Sequence, residues 1–309
     1  MSRQNLPARR PEIFSSSNLL PWCAVPYDSV DRSPAERARM FARLGFRRAG
    51  WDWRDEHVAE FPDQLHEFAK NGIELDALWV GMPLPTRSSE LGVIPALALK
   101  QIEECIQQGA SPVLWTCTEF GNPDAPVTLD SQAHRERIDR TVSHLEPLMR
   151  TAEKGGMRVG LYNHLGWFGQ PEHQTEVVHA LADAGYPDAG LVYAQHHGHA
   201  HLENFSAMWA TIHPHVLAVS LNGMVPGAHW GGRKIHPYGH GANDVALARV
   251  IVESGWRGHV ALISHTMDDA EHRLRDNLEG LEWVSAQLTD DAPAAYPPTP
   301  RIETPVWPH

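Results

Sequence analysis

Short apolar runs alternate with longer segments whose apolar residues recur every three or four positions, and this rhythm persists to residue 288. The first kind of run reads as a parallel strand buried on both faces, the second as an amphipathic helix. Strands are predicted over 12–16, 46–50, 73–80, 112–118, 157–162, 189–195, 216–221 and 259–264. Helices are predicted over 34–44, 57–71, 94–108, 131–154, 171–184, 202–212, 244–254 and 268–288. Local signals set several ends. Ser33, Pro34 and Glu36 form a capping box with proline in the first turn. Gly72, Gly155-Gly156 and Gly255 stop the helices before them.

Eight strand-then-helix units in one uninterrupted series predict an α/β architecture, a single (β/α)8 TIM barrel. A doubly wound open sheet is the alternative, but the regular series and the lack of a GxGxxG motif favour closure. Residues 1–11 read as an N-terminal arm, 12–289 as the barrel, and 290–309 as an extended tail carrying Pro293, Pro297, Pro298, Pro300, Pro305 and Pro308. Ile302 and Trp307 are candidate anchors for that tail, on the barrel or on a second copy in a homo-oligomer.

Charge and cysteine usage narrow the partners. A net charge of −12, from 26 basic and 38 acidic residues, repels a phosphodiester backbone, so no nucleic-acid partner is expected. No apolar run approaches the roughly 20 residues of a membrane span, and the start lacks the apolar core of a secretory signal. Cys23, Cys105 and Cys117 form no CxxC pair and read as reduced thiols of a cytoplasmic protein.

Two counts are unusual: 20 histidines and 11 tryptophans against 6 tyrosines. In this fold the active site lies at the C-terminal ends of the strands. Nine histidines fall there: His164, His196, His197, His199, His201, His229, His236, His240 and His265. The densest run is His196-His197-Gly198-His199-Ala200-His201. In extended chain His197, His199 and His201 share a face; at a helical start His197 and His201 do. Glu119, at the end of the fourth predicted strand, is a candidate general base, with a salt-bridging carboxylate as its other reading. Asp52, between Trp51 and Trp53, is suited to accept sugar hydroxyls while an indole covers the apolar sugar face. Asn163, Trp167, His197, Asn222 and His240 are further candidate substrate contacts. Arg233 and Lys234, after the seventh strand, are placed to hold a phosphate or carboxylate. Cys117 lies inside a predicted strand and reads as an inert buried thiol.

The pieces Val159-Gly160-Leu161-Tyr162-Asn163-His164, His197-Gly198-His199-Ala200 and Val219-Ser220-Leu221-Asn222-Gly223 resemble the xylose isomerase-like TIM barrels. So do Tyr238-Gly239-His240-Gly241 and Gly255-Trp256-Arg257-Gly258, in the same order and spacing. That superfamily holds sugar (phosphate) isomerases and epimerases and the type-IV AP endonucleases. The resemblance implies proton abstraction next to a carbonyl of a small carbohydrate, with Glu119, His164, His199 and His265 as the candidate catalytic residues. Typical members bind a divalent metal through Glu, Asp, His and Glu at the ends of strands 5 to 8. Those positions here read Tyr162, Gln195 or His196, Ser220 or Asn222, and His265. Two readings stay open. Either the site is rebuilt around His164, His196, His199 and His265, a set suited to Zn, Fe, Co or Ni with Mn less favoured, or the metal is lost and polar residues bind substrate directly. The altered set also admits a lyase acting on 3-keto-glycosides by α-deprotonation and elimination, or a non-catalytic carbohydrate-binding barrel.

Overall fold

The computed structural model describes residues 10–119, 130–164, 166–228, 234–289 and 294–302. Strands and helices alternate in the order β1 (Leu19–Trp22), α1 (Pro34–Arg43), β2 (Arg48–Trp51), α2 (Phe61–Lys70), β3 (Glu74–Gly81) and α3 (Ala96–Gln108). They continue as β4 (Val113–Cys117), α4 (Ser131–Lys154), β5 (Val159–Tyr162), α5 (Pro171–Asp183), β6 (Gly190–Ala194) and α6 (Phe205–Ile212). The series ends with β7 (Val216–Leu221), α7 (Asp244–Glu253), β8 (His259–Ile263) and α8 (Ala270–Leu288). Every strand is parallel to its neighbours and β1 pairs with β8, which makes a (β/α)8 barrel.

One seam, β1 to β2, lacks a hydrogen-bonded ladder. Proline contributes to this. The Pro21 carbonyl lies close to Gly50 of β2. In a strand the N–H and C=O of one residue face the same side, so the group Pro21 lacks is the donor β2 would need. The seam is filled by packing instead: the Trp22 indole lies on Gly50, where any Cβ would overlap it.

The first predicted strand, 12–16, is not a strand. Glu12–Phe14 forms a 3-10 turn that buries Ile13 and Phe14, and Asn18 donates to the Ile13 and Gly258 carbonyls (2.8 and 2.9 Å), tying the turn to the segment that enters β8. The true strand, Leu-Leu-Pro-Trp, is masked in sequence by its proline. The second predicted helix also begins late, because residues Asp55–Glu60 form a 3-10 turn ahead of α2.

Aromatic rings fill the barrel interior. Trp22 packs on Trp115 at 4.2 Å between ring centres, Trp115 stacks on Tyr162 at 5.8 Å, and Trp79 meets Tyr162 edge-on at 5.4 Å. Asp76 is passed over in the β2–β3 pairing. This bulge turns its carboxylate to Arg48 and His259, each at 2.8 Å, beneath the aromatic layer.

Beyond α8, the carbonyl of Ala294 accepts from Trp283 and Gln287, and Arg301 pairs with Asp276 and Glu279. Ile302 donates its N–H to Asp276 (3.3 Å); Trp307 lies outside the described residues. Cys23, Cys105 and Cys117 are buried free thiols. Among the described residues no helix is long and apolar enough to cross a membrane.

Candidate active site

The C-terminal ends of six strands converge on a cavity of about 460 Å³ at the mouth of the barrel. From β1 come Trp22, Cys23 and, in the loop beyond, Tyr27; from β2 come Asp52, Trp53, Arg54 and Asp55; from β3 come Trp79 and Gly81. Tyr162 and His164 enter from β5, His196 and His197 from β6, and His265 from β8. His164 stands two residues past Tyr162, in step with strand alternation, so it reaches the same interior.

Four histidines meet here. Ring centres of His196 and His197 are 3.6 Å apart, those of His164 and His197 4.4 Å, and those of His196 and His265 5.8 Å. All four are neutral at pH 7. Burial lowers His164 to about 4, and the Lys234 charge adds to it. Burial lowers His265 to about 3, with Arg54 and Lys234 adding. His196 and His197 are held well below the ordinary imidazole value, first by burial and then by neighbouring cations and rings. Nδ1 of His196 and of His197 is buried with no hydrogen-bond partner in the protein.

Asp52 faces them from the other side of the barrel, since β2 and β6 are opposite in the strand order. It is 3% exposed, and neither carboxylate oxygen has a hydrogen-bond partner of good geometry. Burial raises its carboxyl from 3.8 to about 7, with Arg54 and the Cys23 thiol pulling it partly back. Cys23 adopts φ +56°, a left-handed conformation uncommon outside glycine, at the turn where β1 opens into the cavity. The Cys23 thiol is pushed well above its ordinary value by burial and Asp52, so it is no thiolate nucleophile. Arg54 donates to the Trp53 carbonyl (2.8 Å) and the Tyr27 hydroxyl (2.9 Å), and the Tyr27 ring packs at a tilt against His265, 3.9 Å between ring centres.

The remaining candidates from the sequence lie outside the cavity lining. Glu119 pairs with Arg137 and accepts from the Phe168 N–H (3.2 Å), over Gly166; its backbone carbonyl accepts from His164. Asn163 bridges to β6 through the Ala194 N–H and C=O (2.6 and 3.3 Å). Asn222 donates its side-chain N–H to the Gly223 and Lys234 carbonyls (2.9 and 3.3 Å). Trp51 is buried between barrel and helices, with Nε1 on Gln101 (2.6 Å) and its ring on Phe61. Trp167 donates to His134 (3.1 Å) and stacks on His173 in the helical layer. His240 is half-buried against the Pro298 carbonyl. Arg233, His229 and Trp230 lie outside the described residues.

The histidine run does not share one face. It folds as two successive 3-10 turns, Gln195–His197 and His199–His201. His196 and His197 point into the cavity, while His199 turns back to the His196 carbonyl (3.2 Å) and His201 to the Tyr193 hydroxyl (3.3 Å). Gly198 allows the reversal, because a Cβ there would overlap the Tyr193 hydroxyl. Sequence reasoning missed Trp22, Tyr27, Arg54 and Trp79. Only Arg54 had a local signal, its place directly after Trp51-Asp52-Trp53.

The residues present do not fit a carboxylate metal site. Tyr162 belongs to the aromatic layer, and Gln195 accepts from the Asn222 N–H (3.4 Å). Among the described residues no group of three His, Cys, Asp or Glu side chains is arranged to hold a metal ion.

No family model matches the sequence, and no curated protein does. Solved structures do match the fold. The IolI protein, solved with a bound zinc atom, is 13% identical, with 88% of this chain and 99% of that one covered at TM-score 0.65. The 3-keto-D-glucoside 4-epimerase YcjR from E. coli is 13% identical over 87% of this chain and 98% of its own, at TM-score 0.61. A xylose isomerase domain protein from Alicyclobacillus acidocaldarius is 18% identical over 88% and 99%, at TM-score 0.57. These likenesses show a shared (β/α)8 barrel fold.

Proposed function

We propose that the protein is an enzyme of the sugar isomerase or epimerase type, moving a proton at a carbon next to a carbonyl of a small carbohydrate. Asp52 carries the reading: a buried carboxyl at the cavity wall, without a well-formed hydrogen bond at either oxygen and raised to about 7. Such a group is matched to take a proton and return it near neutral pH. The neutral imidazoles of His196 and His197 supply the second acid–base pair from across the barrel. With groups on opposite walls, a proton removed on one face of the substrate can be returned on the other, or at the adjoining carbon. Arg54 and Lys234, whose charges reach the histidines, stabilise the enediolate oxygen that forms between the two transfers. The indoles of Trp22, Trp53 and Trp79 offer apolar faces to the C–H side of a sugar ring. The sugar-epimerase neighbours of the fold support the same reading. No step is assigned to a metal, because among the described residues no donor set forms a metal site.

The test is a screen of ketoses and keto-glycosides in D₂O, followed by NMR. Solvent deuterium is expected at the carbon next to the carbonyl, and Asp52→Asn is expected to slow its entry by about 100-fold or more. Exchange at the wild-type rate in Asp52→Asn would remove the assignment.

A further inference from the structure

At the opposite end of the barrel from the cavity, two histidines from different β/α units meet on the surface. His179 projects from α5 and His215 from the 3-10 turn His213–His215 that leads into β7. Their Nε2 atoms are 3.2 Å apart, with ring centres at 4.7 Å and planes at 76°. We propose that this pair is a two-histidine site for a borderline divalent cation of the Zn²⁺, Ni²⁺ or Cu²⁺ class, with water in the remaining positions.

At this spacing the pair makes an N–H···N contact on its own, and the same spacing suits two nitrogens sharing one ion. Two imidazole nitrogens on one tetrahedral Zn²⁺, each about 2.0–2.1 Å from it, stand about 3.3 Å apart. The nitrogens already hold that spacing before any ion arrives. A head-on hydrogen bond at this separation would put the ring centres about 5.5 Å apart, because donor and acceptor prefer a straight line. The observed 4.7 Å means that the rings are bent off that line; a shared tetrahedral ion would hold their centres about 5.2 Å apart, which a small rotation of either side chain supplies.

Imidazole selects this metal class over Mg²⁺ or Ca²⁺. An ion held here joins α5 to the entry of β7 across 36 residues of chain and favours the folded state by mass action. The site is independent of the sugar chemistry proposed above.

The experiment titrates the metal-stripped full chain with ZnCl₂, read by calorimetry and by thermal unfolding. Both substitutions, His179→Gln and His215→Gln, lie on the surface and are expected to leave the metal-free melting temperature unchanged, which checks their folding. Wild type is expected to bind Zn²⁺ and to melt higher with it. Each single variant should weaken one binding event at least tenfold, with the double variant no worse than either single one. His196→Ala should keep that event. Titrations of His179→Gln and His215→Gln that superimpose on wild type would overturn the proposal, as would loss of the event only in His196→Ala.

Discussion

Asp52 and Glu119 both stand at strand ends, yet their surroundings give them different work. Glu119 is held by Arg137 and the Phe168 N–H, and its carbonyl orients His164. Asp52 has no close ion pair or well-formed hydrogen bond, and burial outweighs Arg54 and the Cys23 thiol, so its proton is retained to about pH 7. kcat/KM is therefore expected to rise with pH through about 7, as Asp52 ionises to become the base. Arg54 lowers the Asp52 carboxyl, so Arg54→Met should move that limb to higher pH, readable from the pH–rate profile. An unmoved limb would assign it to another group. Both carboxylates were visible as candidates in the sequence. Which one is tuned was not, because desolvation depends on side chains from β1 and β3 that the sequence does not place beside β2.

Elements were legible where periodicity was strong. The capping box at Ser33 and the bounds of α4 and β7 stand as the sequence indicates. β1 was misplaced because proline normally argues against a strand, and here the missing N–H falls at an unladdered seam. The histidine run was legible as a cluster, but two 3-10 turns divide it into a cavity pair and a supporting pair. Close backbone approach is likewise a tertiary fact. Gly280, in the middle of α8, lies against the Tyr238 carbonyl, where a Cβ would overlap it. The loop after β7 is gathered there by Asp244, which accepts from the Met224, Gly239 and Gly241 N–H groups (2.8, 2.7 and 2.9 Å). Gly280→Ala should destabilise the fold by about 1–3 kcal/mol, measured by urea unfolding, since neither backbone can retreat cheaply.

At the scale of the whole molecule, the buried histidines couple stability to pH. Each binds its proton more readily in the unfolded chain, near 6.5, than in the fold, where His164 and His265 titrate at about 4 and about 3. Their contribution is present above pH 6.5 and is lost as pH falls towards those values. Asp52 and Asp244 act in the other direction. Their carboxyls are raised to about 7 and about 6, so their contribution is full below 3.8 and fades as pH rises through the raised values. Four cavity imidazoles outweigh two carboxyls, and the urea midpoint should fall between pH 6.5 and 4.5. His164→Gln and His265→Gln should each flatten that fall; slopes equal to wild type would show that these rings titrate normally.

The sequence by itself determined the order of eight strand–helix units, and with it the barrel and the end at which chemistry gathers. Those follow from local periodicity and turn residues, which act over neighbouring positions. Only the tertiary structure decided which polar groups lose water together. Asp52, His164, His196, His197 and His265 lie on four different strand ends, and their proton affinities are set by shared burial in one cavity. Desolvation and charge act through space, so no run of residues along the chain records them.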